Sequence, residues 1–160
     1  MMCAHHLRRP MSPKPVSAKT ASQTCAAGTL RRASRAVSRM YDGHLASTGL
    51  TTTQFSLLSA LARHGEPVAL MTLASELVLE RTSLYRALHP LARDGFVRLL
   101  GLTGRRAKKV ELTGRGRQKV ARALPHWQRA QNEFLEHVGN AAWNRLSAQL
   151  VDIARPERDA

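Results

Sequence analysis

The fold is decided by residues 80–113, which read ERTSLYRALHPLARDGFVRLLGLTGRRAKKVELT. In the first half, Leu84, Leu88 and Leu91 follow one another at steps of four and three residues, so they share one face of a helix. Gly95 is a typical C-terminal stop for that helix. The second half alternates apolar and polar side chains around a basic, glycine-flanked tip, which predicts a two-stranded hairpin. A short helix is therefore expected to be followed by a basic hairpin, which we call the wing.

The polar side chains of this stretch are expected to face outward, because the three leucines face inward. On the predicted helix they cluster near the N-terminal end: Arg81, Thr82, Ser83, Tyr85 and Arg86. On the predicted wing the tip carries Arg105, Arg106 and Lys108, and the strands add Arg98 and Lys109.

Two further helices are predicted upstream. Thr51 and Gln54 have the spacing of a capping box at the start of the first of them. The side chains that this helix is expected to turn inward are Phe55, Leu58, Leu61 and Ala62. A two-turn helix at about residues 71–78 comes next, and it ends just before the helix of the opening stretch. Two short helices joined by so tight a turn are typical of a helix-turn-helix, whose second helix enters the major groove of DNA.

The charge of the chain points to a polyanionic partner. The sequence has 25 Lys and Arg against 11 Asp and Glu, for a formal net charge of +14. Residues 81–119 hold eleven of the basic side chains and only two of the acidic ones. Such a concentration on a helix and a wing favours nucleic acid over a merely solvated surface.

The chemistry of DNA assigns a role to each group of basic residues. Arg81 and Arg86 are suited to bidentate bonds with guanine edges, and their hydroxyl-bearing neighbours reach bases or phosphates. Arg105 and Arg106 are expected to lie over the backbone or in a narrow minor groove. The phosphate contacts are assigned to Arg98, Lys108 and Lys109.

The winged core, residues 50–113, is flanked by helices predicted at residues 25–46, 114–138 and 140–154. Each carries an apolar stripe, and together the stripes exceed what one small winged domain covers. A two-fold homodimer would bury them and present two reading helices about 34 Å apart to an inverted repeat. The side chains assigned to this interface are Leu30, Val37, Leu124, Trp127, Trp143, Leu146 and Leu150. Residues 25–154 are expected to form a single domain, preceded by a disordered basic tail over residues 1–24.

Several classes of protein are disfavoured. Cys3 and Cys25 are the only cysteines, and no Cys/His spacing suits a metal, so neither a metal site nor a cofactor is predicted. No apolar run approaches the roughly 18–20 residues of a membrane span, so a soluble, cytoplasmic protein is expected. No catalytic motif is present, which argues against an enzyme.

Three segments together resemble the MarR family of bacterial winged helix-turn-helix regulators. They are LTTTQFSLLSALARHG at 50–65, LASELVLERTSLYRALHPLARDGFVR at 73–98 and GRRAKKVELTGRGR at 104–117. The resemblance covers about residues 25–154 and is strongest in the reading helix and the wing. It implies a mainly α fold with a small β-hairpin wing, a dimer formed by the terminal helices and binding to a palindromic operator. It also implies repression of transcription that is released by a small anion, a phenolic compound or an oxidant.

Two positions qualify this resemblance. Members of the family commonly have Asp-x-Arg in the wing, and here Gly104 stands where that aspartate would orient Arg106. Some members sense oxidants through a cysteine near the start of the first helix. Ala27 aligns with that position and Cys25 lies two residues earlier, so an idle thiol is favoured over a redox sensor at Cys25.

A second class of function stays open. An architectural or ribosome-associated basic protein would bind nucleic acid by charge alone, without sequence specificity. That alternative leaves the helix-turn-helix spacing and the terminal apolar stripes unexplained.

Overall fold

The computed structural model describes residues 25–101 and 108–154. In chain order these form α1 (Ala26–Leu45), α2 (Thr52–His64), β1 (Val68–Ala69), α3 (Leu70–Glu76), α4 (Arg81–Arg93), β2 (Val97–Leu100), β3 (Lys109–Leu112), α5 (Gly114–Val138) and α6 (Asn140–Ala154), with a 3-10 turn at Ala46–Thr48. The predicted mainly α fold with a small β wing is confirmed. The predicted tail at residues 1–24 and the wing tip with Gly104, Arg105 and Arg106 lie outside the described residues.

The chain divides into two compact units, residues 1–36 and 37–160. The described part of the first unit is the N-terminal half of α1. There the Cys25 thiol accepts a hydrogen bond from the Gly28 N–H at 3.4 Å, and Arg32 donates to the Thr29 hydroxyl at 3.3 Å. Cys25 is exposed and unpaired with any described cysteine.

Helix α2 begins at the predicted capping box. Gln54 N–H donates to the Thr51 hydroxyl at 3.2 Å, and Thr51 N–H donates to the Gln54 amide oxygen at 3.0 Å. The backbone N–H groups of Thr51 and Gln54, which have no partner within the helix, are thereby hydrogen-bonded. The side chains of α2 that are buried are Phe55, Leu57, Leu58, Ala60 and Leu61. The expectation that Ala62 faces inward was wrong: it is exposed, because the buried face is centred one residue earlier on the helix.

The sheet has three strands and not the two of the predicted hairpin. Its order is β1-β3-β2, and both pairings are antiparallel. Val68 of the short β1 pairs with Val110 of β3, and Val97 of β2 pairs with Leu112 at the other end of β3. An extended segment can be expected at residues 68–70, but a two-residue strand is too short to show an alternating pattern, so its pairing with β3 could not be predicted.

The core of the winged unit lies between α2, α3, α4 and this sheet. Leu84, Leu88 and Leu91 are buried as predicted. They belong to one apolar cluster with Leu58, Leu61, Leu73, Val97, Val110 and Ala123. The packing of the leucine face therefore fixes which side of α4 is left for a partner.

The C-terminal half of α1, within the second unit, is attached to α5 by polar side chains. The Tyr41 hydroxyl donates to the Gln131 amide oxygen at 2.5 Å, and His44 bonds Glu133 at 2.7 Å. Burial raises the pKa of Tyr41 above its usual value, so the phenol stays a neutral donor at physiological pH. These bonds tie α1 to α5 within the chain.

The first turn of helix α5 packs against the base of the wing at Gly116. The Thr113 hydroxyl caps the helix by accepting the Gly116 N–H at 3.0 Å. A Cβ at Gly116 would collide with the Phe96 carbonyl and lie 2.6 Å from Leu112 Cδ1. Only glycine therefore lets α5 approach the start of the wing this closely.

We expect Gly116→Ala to lower the free energy of unfolding by about 1–3 kcal/mol, the usual cost of overpacking a filled site. The matched control is Gly114→Ala, since nothing lies within 4 Å of a Cβ at Gly114. That control should be neutral or gain up to about 1 kcal/mol from helix propensity. Urea denaturation measures both, and equal stabilities of the two variants would contradict the close contact.

The turn between α3 and α4 contains a strained residue. Among the described residues, Val78 is the one non-glycine residue with a positive φ, which is 50°. Its N–H donates to Ser75 O at 3.2 Å, and Leu79 N–H donates to Ala74 O at 2.8 Å. These two bonds complete a Schellman motif, whose left-handed position is usually glycine. A β-branched residue there costs about 1–2 kcal/mol.

We therefore expect Val78→Gly to stabilise the fold by about 0.5–1 kcal/mol, because the relief of strain exceeds the extra chain entropy that glycine loses on folding. Val78 is 68 % exposed, so little burial is lost. The control is Ala62→Gly, at an exposed position within α2, which should destabilise by about 0.5–1 kcal/mol. Thermal or urea unfolding measures both changes, and a less stable Val78→Gly variant would show that the valine is not strained.

Candidate nucleic-acid interface

The outward face of α4 is polar and basic, as the leucine spacing predicted. Arg81, Thr82, Ser83 and Arg86 are exposed along the first two turns. Tyr85 differs from them: it is half-buried and packs against the core cluster. The Arg81 guanidinium lies 5.9 Å from the centroid of the Tyr85 ring. The tyrosine therefore supports the first arginine of the helix as well as lining the face.

The wing strands bring further cations to this unit. Lys108 and Lys109 are exposed where β3 begins. Arg98 of β2 is not a free cation, because its Nε donates to the Glu111 carboxylate at 2.6 Å across the strand pair. Contact between Arg98 and a phosphate stays a prediction. It would require the Arg98 guanidinium either to bind the phosphate while it stays paired with Glu111 or to release Glu111.

The helix-turn-helix is tied to α2 by one carboxylate. Glu76, the last residue of α3, accepts bonds from Arg63 at 2.5 Å and from His64 at 2.7 Å. Hydrogen bonds from His64 and Arg63 hold the pKa of Glu76 below its usual range, so it is ionised at neutral pH. Residue spacing could not predict this cluster, because its members become neighbours only when α2 packs beside α3.

Cations also surround the aromatic ring at the start of the wing. The guanidinium of Arg115 and the ammonium of Lys119 lie 5.3 Å and 5.1 Å from the centroid of the Phe96 ring. Both residues belong to the first turns of α5. Part of the basic excess of residues 81–119 therefore packs on an aromatic face as well as facing solvent.

A small cavity lies beside the helix-turn-helix. Its volume is about 250 Å³, and its lining consists of Phe55, Ser56, Ser59, Arg63, Leu77 and Trp127. The Phe55 and Trp127 rings stack with centroids 6.0 Å apart. Ser59 Oγ is buried there without a hydrogen-bond partner among the described residues. A buried hydroxyl of this kind is uncommon in a folded protein.

The predicted interface side chains fall into two groups. Leu30, Leu124 and Leu146 are 40 %, 41 % and 43 % exposed, which leaves apolar surface uncovered in the single chain. The others are half-buried: Val37, Trp127, Trp143 and Leu150. Trp127 packs on Phe55 as described, and Trp143 packs edge-on against Phe134 with centroids 4.9 Å apart. Both tryptophans therefore take part in packing within the chain.

The described residues contain neither a membrane-spanning helix nor a cluster of metal ligands. No helix in residues 25–101 or 108–154 is long and apolar enough to cross a membrane. Across the same residues, no three His, Cys, Asp or Glu side chains are grouped so as to hold a metal ion.

Comparison with known proteins identifies this architecture. A family model for the IclR helix-turn-helix domain matches residues 55–101. The DNA complex of the transcriptional regulator MosR from M. tuberculosis is 36 % identical, with a TM-score of 0.71 over 82 % of this chain and 94 % of that chain. This neighbour supports a relationship in sequence as well as in fold.

Two more distant structures share the fold. CouR from Rhodococcus jostii RHA1, bound to p-coumaroyl-CoA, is 21 % identical with a TM-score of 0.73 over 86 % of this chain and 97 % of that chain. A MarR-family transcriptional regulator from Rhodococcus sp. RHA1 is 22 % identical with a TM-score of 0.70 over 81 % and 94 %. With the helix-turn-helix, the three-stranded wing sheet and these relatives together, the chain belongs to the MarR family of winged helix-turn-helix transcriptional regulators.

Proposed function

We propose that the protein is a homodimeric repressor that binds an inverted-repeat operator and is released by a small-molecule effector. The observation that carries this proposal is the face of α4, where four exposed polar side chains stand over a helix locked by three buried leucines. A rigid helix with exposed arginines near its N-terminal end suits the major groove. Arg81 and Arg86 would read guanine edges, while Thr82, Ser83 and Tyr85 contact bases or phosphates.

The wing supplies the contacts that do not depend on sequence. Lys108 and Lys109 would bind phosphates, with Arg98 joining them from β2. Arg105 and Arg106 keep their predicted role at the backbone or minor groove, although they lie outside the described residues. Because each neutralised phosphate releases counterions, affinity should fall steeply with salt.

Dimerisation is supported by the apolar surface of the C-terminal helices. Leu124 of α5 is exposed, and α6 exposes Leu146, Val151 and Ile153. Apolar side chains of this size on neighbouring helices are unusual on a monomer and would be covered by a second copy. Leu30, Val37, Trp127, Trp143 and Leu150 complete the proposed interface. The two α4 helices would then face successive major grooves of one operator.

The effector is proposed to occupy the cavity beside Trp127. The stacked rings offer apolar walls, the Ser59 hydroxyl offers a hydrogen bond, and the Arg63 guanidinium offers a charge partner for a carboxylate. A small aromatic acid matches these groups and the volume of about 250 Å³. Arg63 also bonds Glu76, so a ligand that draws this arginine away would loosen α3. CouR, which shares this fold, is bound to p-coumaroyl-CoA, a ligand with an aromatic group.

The alternative of a basic protein without sequence specificity makes a different prediction. Its affinity would depend on the number of cations and not on which arginine stands on α4. An arginine on the reading face of α4 and one in its last turn therefore discriminate between the two functions.

We expect Arg86→Ala to reduce the preference for an operator over random DNA by roughly 10- to 100-fold, since a bidentate guanine contact is worth about 1–3 kcal/mol. The control is Arg93→Ala, which removes the same charge from the last turn of α4, where Arg93 bonds Asp94. Competition binding at physiological salt, with the dimer monitored by light scattering, measures the effect. Equal losses from both substitutions would favour the non-specific alternative.

We expect Leu146→Asp to dissociate the dimer, because a carboxylate would be buried against apolar side chains of the second copy. Asn144→Asp, on the opposite side of α6, adds the same charge and should leave the dimer intact. Analytical ultracentrifugation gives the two dissociation constants. A monomeric wild type, or a Leu146→Asp variant that dimerises like wild type, would contradict the proposed interface.

A further inference from the structure

The turn between α3 and α4 combines backbone strain with an exposed apolar side chain. Val78 holds the left-handed position of the Schellman motif at φ 50°. A glycine would satisfy the same two backbone bonds without strain. The valine gains little from burial in return, because it is 68 % exposed. Burial of the side chain therefore does little to offset the strain, and strain of this kind is often found at sites of external contact.

The surroundings of Val78 indicate where that contact would lie. A groove of about 400 Å³ runs past it, between Met71 and Ala74 of α3, Glu80 and Arg81 at the start of α4, and Ala154 at the end of α6. Met71 is 62 % exposed, so the apolar surface extends beyond the valine. Because Arg81 lines the groove and also belongs to the reading face of α4, the groove is continuous with the proposed DNA interface.

The chemistry of the major groove narrows the choice of partner. Phosphates and most base edges offer only charged or hydrogen-bonding groups. A valine side chain can neither pair with a charge nor form a hydrogen bond. The C5 methyl of thymine is the apolar group that bases present in this groove. A valine beside the arginine of a reading helix is placed to pack on such a methyl.

We infer that Val78 is a specificity-determining residue that packs on the C5 methyl of a thymine adjacent to the base pair read by Arg81. The preference for thymine then comes from the turn, and the preference for guanine comes from the helix. This inference rests on the proposed function, since it requires sequence-specific binding in the major groove.

The test begins with the duplex that the wild-type protein selects from a random pool. Each thymine of the selected sequence is replaced singly by uracil, which removes only the C5 methyl group. We expect one thymine in each half-site at which uracil weakens wild-type binding about four-fold, the value of one buried methyl group. At that position Val78→Gly should bind the two duplexes equally, and Val78→Asn, which also tolerates the left-handed conformation, should do the same.

The controls separate this contact from a structural role. Ala62→Gly, at an exposed position of α2 outside both the reading face and the proposed dimer interface, should keep the wild-type sensitivity to uracil. Val78→Gly should remain folded, since its thermal unfolding is expected at or above the wild-type temperature. Wild-type binding that is indifferent to uracil at every thymine overturns the inference, as does a Val78→Gly variant that retains the four-fold effect. If the wild type selects no sequence at all, the proposed function fails together with the inference. If it selects a sequence but is indifferent to uracil, only the inference fails.

Discussion

The hydrogen bonds of Thr113 join the parts of this fold that any DNA reading would use. Its hydroxyl donates toward Gly95 O at 2.8 Å and Phe96 O at 3.1 Å, and it accepts the Gly116 N–H. These partners are the second residue after α4, the residue before β2 and the first turn of α5. One side chain therefore connects the end of the reading helix, both ends of the wing and the start of the longest helix.

The absence of a side chain at Gly116 makes that junction possible. With no Cβ, the helix start comes close to the Phe96 carbonyl, and the Phe96 ring packs near the cations of Arg115 and Lys119. This contact fixes where α5 starts relative to the base of the wing. In the proposed dimer, in which α5 and α6 would hold the second copy, the spacing of the two reading helices would depend on it.

The sequence predicted the parts of the fold that periodic burial controls. The leucine face of α4 and the capping box at Thr51 were predicted from residue types at fixed spacings, and the structure confirms both. Spacing could not reveal β1, whose two residues pair only because β3 lies beside them. It also could not reveal that Glu76 binds Arg63 and His64, because that cluster exists only after α2 and α3 have packed.

Val78 shows why the candidate site was harder to predict than the fold. A Schellman turn is usually recognised from its glycine, and without one the sequence showed only a short apolar run, Leu77 to Leu79. The hydrogen bonds of the turn still form, because the packing of α3 and α4 fixes the backbone and the valine must follow. Packing therefore overrides the local preference of the residue. Where a fold holds an exposed side chain in a costly conformation, the reason is best sought outside the chain, and here the nearest outside surface is the DNA expected at Arg81.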